Sequence, residues 1–233
     1  MSEINIAGVF NWVPALTDDQ LIAEFKGDRW EPATDDFAAV AGGRPYLSSS
    51  FGQMLGAIWE QPVGKVERVN VLTHGSSNLI AFAGHIEKRT ISHADVFLNL
   101  NGSSISESLI AMDVNGMDKL GQPGVTFTMP GRGKKKPQRM KMDDVRKRFA
   151  KEAMIALYAC HSGVLPDFLK SVAAFFKVKV IGFTAKVLYY PPPQNTPHRF
   201  IRQGMKIGLE GIGPVENWRK LIGTPKIAVT VNP

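Results

Sequence analysis

Short runs of apolar residues, each stopped by a polar or turn-forming residue, recur along the chain and alternate with stretches of helical spacing. Residues 4–9 predict a first strand. Thr17-Asp18-Asp19-Gln20 has the spacing of a capping box and predicts a helix over 18–26, followed by a turn-rich stretch, 27–44. Phe51, Leu55, Ile58 and Trp59 fall at helical core spacing and predict a helix over 48–60. A β-branched run then leads from Gly64-Lys65 into Val69-Asn70-Val71-Leu72-Thr73-His74-Gly75. Runs at 79–82 and 96–100 predict a small hairpin, 104–112 a helix, and the Gly- and Pro-rich 121–137 an exposed loop. A helix over 143–151, a buried strand over 153–159, a helix over 168–176 opened by Pro166-Asp167, and a strand over 178–183 come next. Pro191-Pro192-Pro193 cannot donate to a ladder, so 191–197 reads as an extended loop. A helix over 214–222 and a strand over 226–231 close the chain.

Strand, helix, strand in succession is the signature of a βαβ unit, so the pattern predicts an α/β fold with a mostly parallel central sheet. A length of 233 residues suits a single domain of that kind, 1–233, carrying the hairpin and a basic loop as an insertion at about 78–150. No internal repeat is present. No apolar stretch approaches the roughly 20 residues needed to span a bilayer, and the start, Met1 to Ile6, has an acidic residue where a signal peptide carries basic ones. One cysteine, Cys160, excludes an intrachain disulfide. Together these features predict a protein of the reducing cytoplasm with no membrane contact.

The net charge of +7 changes the picture only through its placement. From Arg132 to Lys151 ten basic residues stand against two acidic ones, Asp143 and Asp144. Three readings stay open for the segment: a solvated loop, a nucleic-acid patch and a cleavable linker. Lysines without interleaved aromatics are a weak nucleic-acid signal, because the stacking surfaces that hold bases are missing. The solvated loop leads.

Candidate chemistry sits at two strand ends, His74-Gly75 and Ala159-Cys160-His161-Ser162-Gly163, whose key residues are 86 positions apart. In an open parallel sheet, groups leaving the carboxyl ends of neighbouring strands converge on one crevice. A thiol becomes nucleophilic as thiolate, and a nearby imidazole can take its proton, so His74 and Cys160 form a candidate dyad. Backbone amides at Gly75 and Cys160 are candidate oxyanion donors. A lone cysteine at a strand end is more often a small core residue; the matching His-Gly end is what lifts Cys160 above that reading. His161, adjacent to Cys160, reads as a surface or substrate-side group, and His85, His93 and His198 as surface histidines. Scattered histidines with one cysteine give no zinc-site spacing, and Cys-His-Ser-Gly lacks the serine-hydrolase elbow, which sets Ser162 aside as a nucleophile.

Strand-His-Gly, then strand-Ala-Cys with a helix and strand beyond it, resembles the caspase-haemoglobinase group of cysteine peptidases, which includes caspases, legumains, gingipains, separase and the bacterial CHAT-type proteases. The resemblance spans about 66–183 and is closest in style to the bacterial CHAT-type members. It implies a three-layer sandwich, a mostly parallel sheet flanked by helices, with His74 and Cys160 as the catalytic pair and Gly75 in the oxyanion hole. It also implies a polypeptide substrate cut after a chosen P1 side chain, with no cofactor. A caspase would have Gln before the alanine and Gly two places after the cysteine, where this chain has Tyr158 and Ser162; its His-to-Cys separation would be roughly 50 residues. The resemblance is therefore to the wider group.

The sequence thus supports a cysteine endopeptidase, with self-processing at Arg132 to Lys136 or activation by a partner protein as open variants. The competing class is a non-catalytic α/β module that binds nucleic acid or an acidic protein through its basic segment.

Overall fold

The computed structural model of the chain describes residues 2–8, 40, 46–48, 51–82, 96–100, 103–107, 111–129, 138–190 and 206–233. Strand β1 (Ser2–Gly8) is followed by β2 (Tyr46–Ser48) and helix α1 (Phe51–Trp59), in which Phe51, Met54, Leu55 and Ile58 are fully buried along one stripe. Next come β3 (Val66–Leu72), the two-residue β4 (His74–Gly75) and β5 (Leu79–Ala81). Strands β6 (Val96–Leu100), β7 (Ser103–Glu107) and β8 (Ala111–Asp113) precede helix α2 (Val114–Gly121), whose first turn is capped by the Asp113 carboxylate accepting from the Gly116 amide at 2.7 Å. Strands β9 (Thr126–Met129) and β10 (Gln138–Met140) and the short helix α3 (Met142–Arg146) lead to β11 (Phe149–Tyr158). Helix α4 (Pro166–Phe176) starts on a proline, where the missing N–H costs nothing, and ends on Lys177 in the left-handed region. Strands β12 (Lys179–Phe183), β13 (Val187–Tyr190), β14 (Lys206–Leu209) and β15 (Gly213–Pro214), a 3-10 turn (Trp218–Gly223) and β16 (Ala228–Val231) complete the described chain.

The fold is mixed α/β. Its main sheet has the order β2-β1-β3-β11-β12-β16, with the first five strands parallel and β16 antiparallel. Register aligns Ile6, Val71 and Leu157 on one face, and Ala7, Leu72 and Tyr158 on the other. The first face packs with Ile4, Val69 and Ile155 against α1, α2 and α4. The second packs Leu72, Tyr158 and Phe183 against Trp218 and Leu221 of the 3-10 turn and against Val187, Ile207 and Leu209. Tyr158 meets the Trp218 ring edge-on at 4.9 Å between centroids. Helices cover the first face; among the described residues the second is covered by a 3-10 turn and the small sheet β13-β14-β15, with helical Val40 packed against the same cluster.

Other expectations change as well. Strands β5 and β6 do not form a hairpin with each other. Strand β5 pairs with β4 and β8, and β6 pairs with β7 and β9, so the region at 78–150 builds two small sheets. The helix expected over 104–112 is replaced by β7 and β8, and the loop expected over 121–137 contains β9; 130–137 lies outside the described residues. Register pairs Leu100 with Ser103, leaving Asn101-Gly102 between them, the composition of a two-residue hairpin turn. The helix expected over 143–151 ends at Arg146 because the carbonyls of Lys147 and Arg148 accept from Gly64 and Val66 at 2.9 Å, which draws the backbone into the sheet. The closing helix over 214–222 shortens to the 3-10 turn, since Pro214 pairs with β14. The predicted helix over 18–26, the turn-rich stretch 27–44 (Val40 apart) and the loop 191–197 lie outside the described residues. No helix among the described residues is long and apolar enough to cross a membrane.

Candidate active site

Strands β3 and β11 are parallel neighbours with Tyr158 beside Leu72, so the chain leaving β3 at Thr73 runs next to the chain leaving β11 at Ala159. The Thr73 amide keeps the two strands together one step further by donating to the Tyr158 carbonyl at 3.2 Å. The Thr73 hydroxyl donates to the Ala81 carbonyl, which turns the chain toward β5. His74 then pairs with Ala81 and Gly75 with Ile80, and the Ser76 amide closes the turn on Leu79 at 3.0 Å. Gly75 is pressed against the other strand end: a Cβ there would lie 2.7 Å from the Ala159 Cβ and 3.0 Å from the Cys160 carbonyl oxygen. Only glycine fits that approach. The two motifs separated by 86 positions in the sequence are thus in contact through Gly75 and Ala159-Cys160.

The chain after β11 is a tightly determined turn. His161 has φ +56°, the left-handed region that side chains other than glycine seldom occupy. Fully buried Ser162 donates its hydroxyl to the Leu157 carbonyl at 3.1 Å and accepts from the Phe183 amide at 3.0 Å, so it clips β11 to β12. Both of its bonds are internal, in keeping with setting it aside as a nucleophile. Gly163 and Gly182 allow the turn to sit on β12: a Cβ on Gly163 would lie 2.9 Å from the Gly182 carbonyl carbon, and one on Gly182 would lie 2.9 Å from the Ser162 backbone.

Cys160 is half-buried, and its thiol donates to the Val187 carbonyl at the start of β13, 3.5 Å away. Burial pushes the thiol pKa up; hydrogen bonding with the Val187 backbone, the Lys186 charge and its own amide pull it down, and Glu210 pushes it up. Half-buried His74 is moved the other way, from 6.5 to about 4, because burial disfavours the imidazolium. At neutral pH the arrangement is therefore a thiol and a neutral imidazole.

Val187, Lys186, Thr184 and Glu210 are the neighbours of the Cys160 turn that sequence reasoning missed, and nothing in the motif spacing signals them. His161, expected to be a surface or substrate-side group, is half-buried with its Nδ1 3.0 Å from the Thr184 carbonyl. His85, His93, His198, Arg132 and Lys134 to Lys136 lie outside the described residues. The described part of the basic segment is largely bonded within the fold. Arg146 donates to the Phe175 carbonyl at 2.7 Å and pairs with Asp143 at 2.8 Å, while Arg148 donates to the Gln61 carbonyl at 3.0 Å and lies over the Trp59 ring. Lys147 lies 3.5 Å from Asp144, and Arg139 donates to the Thr126 hydroxyl at 2.7 Å. Among the described residues no cluster of three His, Cys, Asp or Glu side chains is placed to hold a metal ion. No family model, no curated protein and no solved structure matches the chain.

Proposed function

We propose that the chain is a caspase-like cysteine endopeptidase in which Cys160 is the nucleophile, His74 the general base and acid, and the amides of Gly75 and Cys160 the oxyanion donors. The observation that carries this reading is the packing of Gly75 against Ala159 and the Cys160 carbonyl, which puts His-Gly and Ala-Cys side by side at the carboxyl ends of adjacent parallel strands. In the proposed reaction His74 takes the Cys160 proton as sulfur attacks the peptide carbonyl carbon. The tetrahedral oxyanion collapses, the C–N bond breaks, and His74 returns the proton to the departing amine. Water, deprotonated by His74, then attacks the thioester carbonyl; Cys160 leaves as thiolate, recovers the proton and releases the acid.

Magnitudes favour the partner- or substrate-activated variant. Moving a proton from a thiol pushed above its ordinary 9.0 to an imidazole at about 4 costs upward of about 7 kcal/mol for separated groups. Were the two ions brought into contact, their attraction would return only about 4 kcal/mol at a near-surface dielectric. The resting groups stay neutral, and the thiolate forms once a bound chain or partner changes the surroundings of Cys160 and His74. The alternative of a binding module draws less support from Arg139, Arg146 and Arg148, whose guanidinium groups are bonded to the fold.

The reading is tested by incubating the chain with a peptide library varied at P1 and mapping the products by mass spectrometry. Cleavage after one class of P1 residue, absent in Cys160→Ala, is the expected result, and a cut between Arg132 and Lys136 in the wild type alone would establish self-processing. Identical product patterns from the wild type and Cys160→Ala would overturn the peptidase reading.

A further inference from the structure

We propose that His161 is a positioning residue of this site: its ring anchors the Cys160 turn to Thr184 on the β12–β13 connection and so holds the thiol and backbone of Cys160 in the reactive arrangement. The proposal rests on the peptidase reading above.

His161 occupies a backbone conformation that works against its own side chain. A left-handed φ of +56° on a residue with a Cβ costs about 1–2 kcal/mol, and the chain has a glycine two places on, at 163, rather than at 161. What the side chain brings in return is an anchor. The ring Nδ1 lies 3.0 Å from the Thr184 carbonyl, and the His161 amide donates to the Ala185 carbonyl at 3.2 Å. A carbonyl only accepts, so Nδ1 is the donor in this contact. The anchor point is itself fixed: the Thr184 amide donates to the Ile227 carbonyl at 2.9 Å and its hydroxyl to the same oxygen at 3.3 Å.

Two residues beyond Ala185, the Val187 carbonyl accepts from the Cys160 thiol. Residues 184–187 therefore grip Cys160-His161 at three points: ring, amide and thiol. Thiolate formation must release the thiol bond, since a thiolate has no proton to give to Val187. Only the ring and amide of His161 then tie the turn to this connection. Without the ring, the His161 amide would be the one bond left between Cys160-His161 and residues 184–187, since the Ser162 and Gly163 bonds to Phe183 hold the turn further along, and loose positioning of Cys160 while charge develops on the substrate is expensive in rate.

The test compares wild type, His161→Asn and His161→Gly. Asparagine tolerates the left-handed region, and its amide nitrogen stands near the position of Nδ1; glycine relieves the strain but removes the anchor. Labelling by a peptidyl acyloxymethyl ketone is resolved into inhibitor binding and inactivation rate, with iodoacetamide labelling as a control for intrinsic thiol reactivity. Expected for His161→Gly is an inactivation rate at least tenfold lower with inhibitor binding and iodoacetamide labelling unchanged, and for His161→Asn a rate within threefold of wild type. Equal rates in all three proteins, or a parallel fall of ketone and iodoacetamide labelling, would overturn the positioning role while leaving the peptidase reading standing. Wild type that is not labelled in a His74-dependent way would overturn that reading and this proposal together. A further check needs no variant: ring 15N shifts of the wild type should show the Nδ1–H tautomer at His161, and the Nε2–H tautomer would overturn the anchor.

Discussion

His74 shows how burying a single titratable side chain makes the fold costly to keep in acid. Burial lowers its pKa to about 4, whereas in the unfolded chain a histidine titrates near 6.5. Between those values the unfolded chain binds more protons than the folded one, so the stability present above about pH 6.5 drains away as pH falls toward 4. The loss amounts to up to about 3 kcal/mol. Urea midpoints should fall between pH 7 and pH 4.5 in the wild type and fall less in His74→Asn; the same slope in both would show that another group carries the acid sensitivity. Cys160, pushed upward, has the opposite sign: it favours the fold below the ordinary thiol range and loses that contribution as pH rises through its raised value. Both shifts come first from burial, so both report how closely the strand ends are packed.

Among the elements, the turn after β11 carries the most structural commitment in the least chain. Ser162 satisfies the Leu157 carbonyl and the Phe183 amide in a site closed to water. Ser162→Ala takes away the hydroxyl that pairs the buried Phe183 amide, while the Leu157 carbonyl keeps the Ala159 amide at 2.9 Å, and should cost about 1–3 kcal/mol in denaturant unfolding. Gly182→Ala should cost at least as much, because its Cβ would meet Ser162 and Gly163 backbone atoms at 2.9–3.0 Å, and backbone cannot rotate away. Values within about 0.5 kcal/mol of wild type, the usual range for an innocuous surface change, would contradict this picture of the turn.

These same elements show what a sequence can and cannot reveal. Strand β3, the buried end of β11, and α4 are legible because strands buried on both faces read as continuous aliphatic runs and because Pro166 marks a helix start. Strands β7, β8 and β9 are not, since three to five residues in a small sheet are too few to show a period, and Asn101-Gly102 signals a hairpin only once the runs beside it are known to be strands. In the site, His74, Gly75 and Cys160 are visible because each stands at the end of an apolar run. Thr184, Val187 and Glu210 matter through their backbone or their placement beside the thiol, neither of which a residue's identity announces.

At the scale of the whole molecule, one parallel sheet organises everything described. Winding runs from β1 out to β2 and then from β3 across to β12, so the reversal of direction falls between β1 and β3. His74 stands just past the carboxyl end of β3, beside that reversal, and Cys160 follows β11, one strand further along. Helices close one face, and Trp218 with the β13-β14-β15 sheet closes the other around Tyr158 and Phe183. The sheet supplies rigidity and the turn after β11 supplies position; in the proposed peptidase, a thiol and a neutral imidazole form the resting state that a bound chain or partner would activate. The measurement that bears most directly on this arrangement is the rate of Cys160 labelling by peptidyl electrophiles of varied P1, from pH 5 to pH 9, in the wild type and in His74→Ala. Labelling that depends on P1 in the wild type and collapses in His74→Ala would establish the dyad. Slow, P1-independent labelling that is the same in both proteins would make Cys160 an ordinary half-buried thiol and contradict the peptidase.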